Sequence, residues 1–139
     1  MGLVHAEIQL INAGDIEMFD RYALSKEEIR QCNVTMLVDS GAHMMAINET
    51  IKGQLGLKTK FKRKAQLADG SVIELDIVGP IEVRFENRQA MCNAMVLSGD
   101  SEMLLGAIPM EEMDVLIHPN QNKLIVNPLH PNMAQLSLK

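Results

Sequence analysis

Short apolar runs, each closed by a cluster of turn-forming residues, recur along this chain and leave little room for long helices. Leu3 to Ile11 alternates, with Val4, Ala6, Ile8 and Leu10 on one face, the pattern of a half-buried strand. Cys32 to Val38 is almost continuously apolar after Asn33 and reads as a buried strand. Met44–Ile47, Lys58–Leu67, Val72–Val78, Ile81–Phe85, Ala90–Leu97 and Met103–Leu105 continue the series. Val115–Ile117 and Lys123–Val126 flank a last turn as a hairpin. Between the runs lie Asp39-Ser40-Gly41, Ala68-Asp69-Gly70-Ser71, Gly79-Pro80, Glu86-Asn87-Arg88 and Ser98-Gly99-Asp100, residues that favour turns through positive φ, fixed φ or side-chain capping. Many short strands with such punctuation predict an all-β barrel or sandwich.

Helical signals are brief. Ser25-Lys26-Glu27-Glu28 has capping-box spacing. Asn48 is placed to N-cap a helix over Glu49–Leu55, with Gly56 ending it. Pro109 suits the first turn of another that runs to Met113. Nothing after Pro128 carries a pattern, so residues 128–139 are expected to be an irregular tail.

The length of 139 residues suits one domain over residues 1–139, large enough to bury roughly two-thirds of its unfolded surface. Aromatics make up 3%, so the core has to be aliphatic, with the 11 methionines filling irregular gaps. The net charge of −5 excludes the basic footprint of a nucleic-acid binder. The basic cluster Lys58, Lys60, Lys62, Arg63, Lys64 alternates and would put its lysines on one face, as on a solvated edge strand. Two cysteines, Cys32 and Cys92, are far apart and lack a CxxC pattern, so buried free thiols are expected. His5, His43, His118 and His130 show no metal-ligand spacing. No signal peptide and no membrane span is read, which makes the expected location cytoplasmic.

One pattern occurs twice. Leu37-Val38-Asp39-Ser40-Gly41-Ala42 and Leu104-Leu105-Gly106-Ala107 are each an apolar strand, a glycine turn and a short helical segment. The second copy lacks the Asp-Ser pair. The echo suggests a pseudo-two-fold axis. Four motifs then stand in one order: Met36 to Ala42, Gln54-Leu55-Gly56-Leu57, Leu67-Ala68-Asp69-Gly70 and Leu104-Leu105-Gly106. In that order they resemble the retropepsin-like aspartic proteases, the group of the retroviral proteases and small bacterial single-domain relatives.

The resemblance implies a retropepsin-like closed barrel with one or two short helices, forming half of a two-fold symmetric enzyme. Asp39 would be catalytic. Ser40, Gly41 and Ala42 would support its loop. Leu67, Ala68, Asp69, Gly70 and Ser71 would form the flap over the substrate, and Leu104, Leu105 and Gly106 the second glycine motif. Residues 12–31 would be an insertion before the catalytic strand. His43 stands where the family more often has a small or hydroxyl residue. No cofactor or metal is implied; the partners would be a second copy of the chain and a peptide or protein substrate, with no nucleic acid and no membrane.

The chemistry explains why one Asp-Ser-Gly is half a site. Metal-free peptide hydrolysis needs an activated water and a proton for the carbonyl oxygen. Two carboxyls ~3 Å apart cannot both ionise, so the pair holds one proton and serves both needs. The chain offers one such Asp, and the second must come from a symmetry mate. Two readings compete: the same fold as a catalytically inactive dimerisation or peptide-binding module, and a monomeric β protein in which Asp39-Ser40-Gly41 is only a turn.

Overall fold

The computed structural model describes residues 2–138. The chain order is β1 (His5–Asn12), α1 (Ala13–Asp20), a 3-10 turn (Lys26–Glu28), β2 (Gln31–Val38), β3 (Met45–Asn48), α2 (Glu49–Leu55), β4 (Thr59–Gln66), β5 (Val72–Phe85), β6 (Arg88–Leu97), β7 (Leu104–Leu105), α3 (Ala107–Met113), β8 (Val115–Ile117) and β9 (Leu124–Val126). The protein is mostly β, as its pattern of short runs requires. Among the described residues it carries three α-helices where one or two were expected.

Seven strands form one sheet in the order β1-β2-β7-β3-β6-β5-β4, and β1 also pairs with β5. β8 and β9 form a separate antiparallel pair. The β1 alternation is as read, with Val4, Ala6, Ile8 and Leu10 buried. β2 is not the fully buried strand expected: Val34, Met36 and Val38 point inward, while Asn33 and Thr35 are exposed. Its outer face meets water, so it packs like an ordinary half-buried strand.

The Gly79-Pro80 pair does not divide two strands. β5 runs through it, pairing with β4 before it and with β1 after it. Its ladder with β6 shifts register between Val78 and Ile81, and that irregularity accommodates a proline with no N–H to donate. A bulge at Lys60 also breaks the expected four-lysine face of β4. Lys62 and Lys64 share a face with Asp76 and Glu74, whereas Phe61 and Arg63 share the other with Ile77 and Leu75.

The core is aliphatic. Ile8, Leu10, Met36, Met45, Ile47, Leu55, Val78, Ile81, Leu105 and Met113 are at most 1% exposed. Cys32 and Cys92 are free and only partly buried, packed against this cluster rather than inside it. Desolvation, with Glu112 nearby, pushes the Cys92 thiol up to about 12.

Helix α1 escaped the sequence reading because its apolar residues lack a helical stripe. It exists because Asn12 caps it, accepting from the Asp15 N–H at 3.1 Å, and because Asp15 is 5% exposed and held by Arg30. Arg30 reaches it through Nε at 2.8 Å, Nη2 at 2.9 Å and the backbone N–H at 3.0 Å. The Arg30 guanidinium holds the Asp15 carboxyl below its usual range. Asn12 also donates to the Leu55 carbonyl at 2.8 Å, so α1 is tied to the end of α2. Helix α2 is as read: Asn48 Oδ1 accepts from the Ile51 N–H at 3.0 Å, and Gly56 closes it at φ +61°.

The tail from Pro128 to Leu138 has no helix or strand, yet it is pinned. Asp114 accepts from the Gln135 N–H at 3.0 Å and from Asn127 Nδ2 at 3.0 Å, and lies 2.7 Å from His130 Nδ1. The Arg88 guanidinium, whose side chain is fully buried, stands 3.8 Å from the same carboxylate and donates to the His130 carbonyl. Asp114 consequently has its pKa lowered from 3.8 to about 2, chiefly by the Gln135 and Asn127 hydrogen bonds. Asp114→Ala is expected to cost about 3 kcal/mol, because it removes the acceptor of the Gln135 and Asn127 hydrogen bonds and leaves Arg88 buried without its carboxylate. The folded-state pKa is depressed, so this contribution is complete above about 3.8 and is lost as the pH falls through about 2. Urea titrations of both proteins at neutral and acid pH check it; equal midpoints at neutral pH would refute it.

Among the described residues no helix is long and apolar enough to cross a membrane.

Candidate functional site

Asp39 leaves the C-terminal end of β2, where the strand stops and the chain turns. The echo seen in the sequence is realised in part: its two strands are neighbours, but in the first copy β3 intervenes between the glycine turn and α2. β2 and β7 are parallel neighbours, with Leu37 opposite Leu104 and Val38 opposite Leu105. The Asp39 N–H donates to the Leu105 carbonyl at 3.0 Å, so the two glycine loops begin side by side.

The loop is then fastened to α3. The Ala107 N–H donates to the Ala42 carbonyl at 2.7 Å, and the Ile108 N–H to the His43 carbonyl at 3.0 Å. These are N–H groups of the first turn of α3, which have no partner inside the helix. Gly106, the residue between strand and helix, is buried. A Cβ there would lie 2.8 Å from the Ala42 carbonyl oxygen and closer still to that of Met44. Glycine is needed because two backbones touch, not because of its φ.

Within the loop, the Gly41 N–H donates to Asp39 Oδ1 at 2.9 Å, and the Ala42 N–H to the Asp39 carbonyl at 3.1 Å. The first of these aims the carboxylate. A Cβ at Gly41 would sit 3.1 Å from the same oxygen, tight enough to displace it. Asp39 is half-exposed; Ser40, Gly41 and His43 are exposed. The carboxylate is thus fixed on one side and open on the other, and its loop presents polar groups to whatever lies beyond.

Two apolar hollows flank this loop. One, of about 300 Å³, is lined by Leu3, Val4, Leu37, Asp39, Ile117 and their neighbours. The other, of about 340 Å³, is lined by Ser40, Met110, Leu116 and Ile117 among others. Leu3 and Ile117 were not singled out in the sequence. Ile117 comes from the β8–β9 hairpin and Leu3 from the first residues, and neither carries a local pattern that would place it beside Asp39. Val4 also matters, since its carbonyl accepts the Val38 N–H at 2.8 Å, next to the Asp.

Leu67 to Ser71 cap the β4–β5 hairpin. The turn is held from within: the Leu67 N–H donates to the Ser71 carbonyl at 2.8 Å and the Gly70 N–H to the Leu67 carbonyl at 2.9 Å. Asp69 Oδ1 accepts from the Ser71 hydroxyl at 2.6 Å and its N–H at 2.9 Å, which holds the Asp69 carboxyl below its usual range. Gly70 has φ +88° with open space around it. All five residues are exposed. The fold therefore joins residues 39–42 to 104–106, while the hairpin tip keeps its hydrogen bonds to itself.

The described residues contain no cluster of three or more His, Cys, Asp or Glu able to hold a metal ion. A family profile described as gag-polyprotein putative aspartyl protease matches residues 26–112, from the 3-10 turn to α3. No curated protein matches the chain.

Proposed function

Since the chain belongs to this gag-polyprotein aspartyl protease family, of retropepsin-like type, we propose that it is an aspartic endopeptidase whose active form is a homodimer. Two Asp39 carboxyls, one from each copy, would face each other across a two-fold axis and share one proton. The ionised member takes a proton from water, and the protonated member polarises the scissile carbonyl. The observation that carries this reading is the fixed, outward-open carboxylate of Asp39, aimed by the Gly41 N–H on a loop bonded to the second glycine motif.

Ser40 would link the two loops across the axis, Ala42 would leave room for substrate, and Leu67–Ser71 would close over it, excluding water. The apolar hollows beside Asp39 suit peptide side chains. The finer architecture is a closed barrel: β1 pairs with β5 as well as β2, which favours a sheet that returns on itself. The segment read as an insertion, 12–31, is an addition to that barrel between Asn12 at the end of β1 and Gln31 at the start of β2, within a single domain. A cytoplasmic location fits its free thiols.

The test is cleavage of a broad peptide set by the wild-type chain at several chain concentrations. A dyad divided between two chains predicts specific activity that rises with concentration and levels off as the dimer fills. Activity per chain that stays constant on dilution into a monomeric state would sink the shared dyad. Wild-type inactivity on every peptide, with dimers present, would point to a binding module.

A further inference from the structure

β4 is an end strand with one long edge unpaired among the described residues. It also concentrates charge of the sign opposite to the chain's. Lys58, Lys60, Lys62, Arg63 and Lys64 lie within seven residues of a protein whose net charge is −5, and β4 itself holds no acidic residue. The facing strand supplies Glu74 and Asp76, and both are taken. Lys62 stands 3.8 Å from each, and Lys52 3.8 Å from Asp76. Lys58, Lys60, Arg63 and Lys64 have no ion pair among the described residues.

Lysines on an edge strand can serve only to keep other sheets away. This hairpin, however, also exposes apolar side chains: Phe61 at 45%, Leu67 at 43% and Val72 at 58%. Arg63 lies 5.6 Å from the centre of the Phe61 ring. Unpaired backbone, uncommitted cations and apolar anchors together are what an extended acidic peptide needs to add as a further strand. A nucleic acid would want more stacking surface than one phenylalanine provides.

We infer that the β4 edge docks acidic, extended stretches of the protein substrate, so that cleavage favours bonds flanked by Asp and Glu. This rests on the protease reading above and names its substrate class.

The experiment compares one cleavable peptide core flanked either by Asp/Glu or by Ser/Gln, at about pH 6.5, where carboxylates are charged. The expected ratio of kcat/KM, acidic over neutral, is about tenfold at low salt and falls toward one in high salt. It should fall to about one in Lys60→Glu/Arg63→Glu/Lys64→Glu, and to an intermediate value in the milder Lys60→Gln/Lys64→Gln. A wild-type ratio near one, or a ratio unmoved by both variants, overturns the inference. If neither peptide is cleaved, the protease reading fails by itself. Fluorescence anisotropy of the two peptides then decides: tighter binding of the acidic one, lost in the charge-reversed variant, supports docking, and equal binding overturns it. Equal or tighter binding of a single-stranded oligonucleotide or of anionic vesicles also overturns it.

Discussion

Asp39→Asn is expected to lower kcat/KM for peptide cleavage on the order of 10³-fold or more, with the dimer intact. The substitution is nearly isosteric, and its side-chain oxygen can still accept the Gly41 N–H that now bonds Oδ1 at 2.9 Å. Loop geometry should survive, while the charge proposed to take a proton from water is gone. Sedimentation of the variant separates a chemical defect from an assembly defect. Mixing adds a sharper readout. When wild-type and variant chains exchange freely in equal amounts, only about a quarter of the pairs carry two aspartates. Activity of the mixture should fall to that fraction of an all-wild-type sample at the same total chain concentration. A fall to one half would mean that each chain works alone, and the shared dyad would be wrong.

Gly106→Ala should unfold the protein far more easily, by about 3 kcal/mol. The added methyl meets backbone, the Ala42 and Met44 carbonyls, which cannot rotate away as a flexible side chain could. Relief requires α3 to part from the Asp39 loop, breaking the Ala107 and Ile108 hydrogen bonds of 2.7 and 3.0 Å. Gly53→Ala is the contrasting case. It lies in α2, and beyond its chain neighbours and the helix's own backbone no atom comes within 4 Å of the added methyl, so better helix propensity should stabilise it by up to about 1 kcal/mol. Thermal melts of both variants would show midpoints moving in opposite directions. A Gly106→Ala protein as stable as wild type would mean that the two glycine motifs do not hold each other.

Both results turn on a relation between two sequence segments, and that relation marks how far the residues alone could be read. Strand positions followed from local rules. The period of two over Leu3–Ile11 and the turn residues around it owe nothing to distant neighbours. The Asn48 cap and Gly56 stop of α2 are equally local. Helix α1 was missed for the opposite reason. Its support is Asp15 held by Arg30, a partner fifteen residues away. The bulges at Lys60 and at Gly79-Pro80 were missed because a register shift is a property of two strands together.

The same division runs through the candidate site. Asp39, its turn and its echo at Leu104-Leu105-Gly106 are legible in the sequence, because a short motif needs only its own residues to be recognised. That the two copies lie parallel and touch, that Gly106 is required by the Ala42 and Met44 carbonyls, and that Leu3 and Ile117 stand beside Asp39 were decided by the tertiary structure. The physical reason is chain connectivity. Backbone preferences and hydrophobic periodicity act over a few residues, so sequence determines strands, turns and the motif that carries the candidate acid. Which segments become neighbours is set by packing one shared aliphatic core, and only the folded chain reveals that choice.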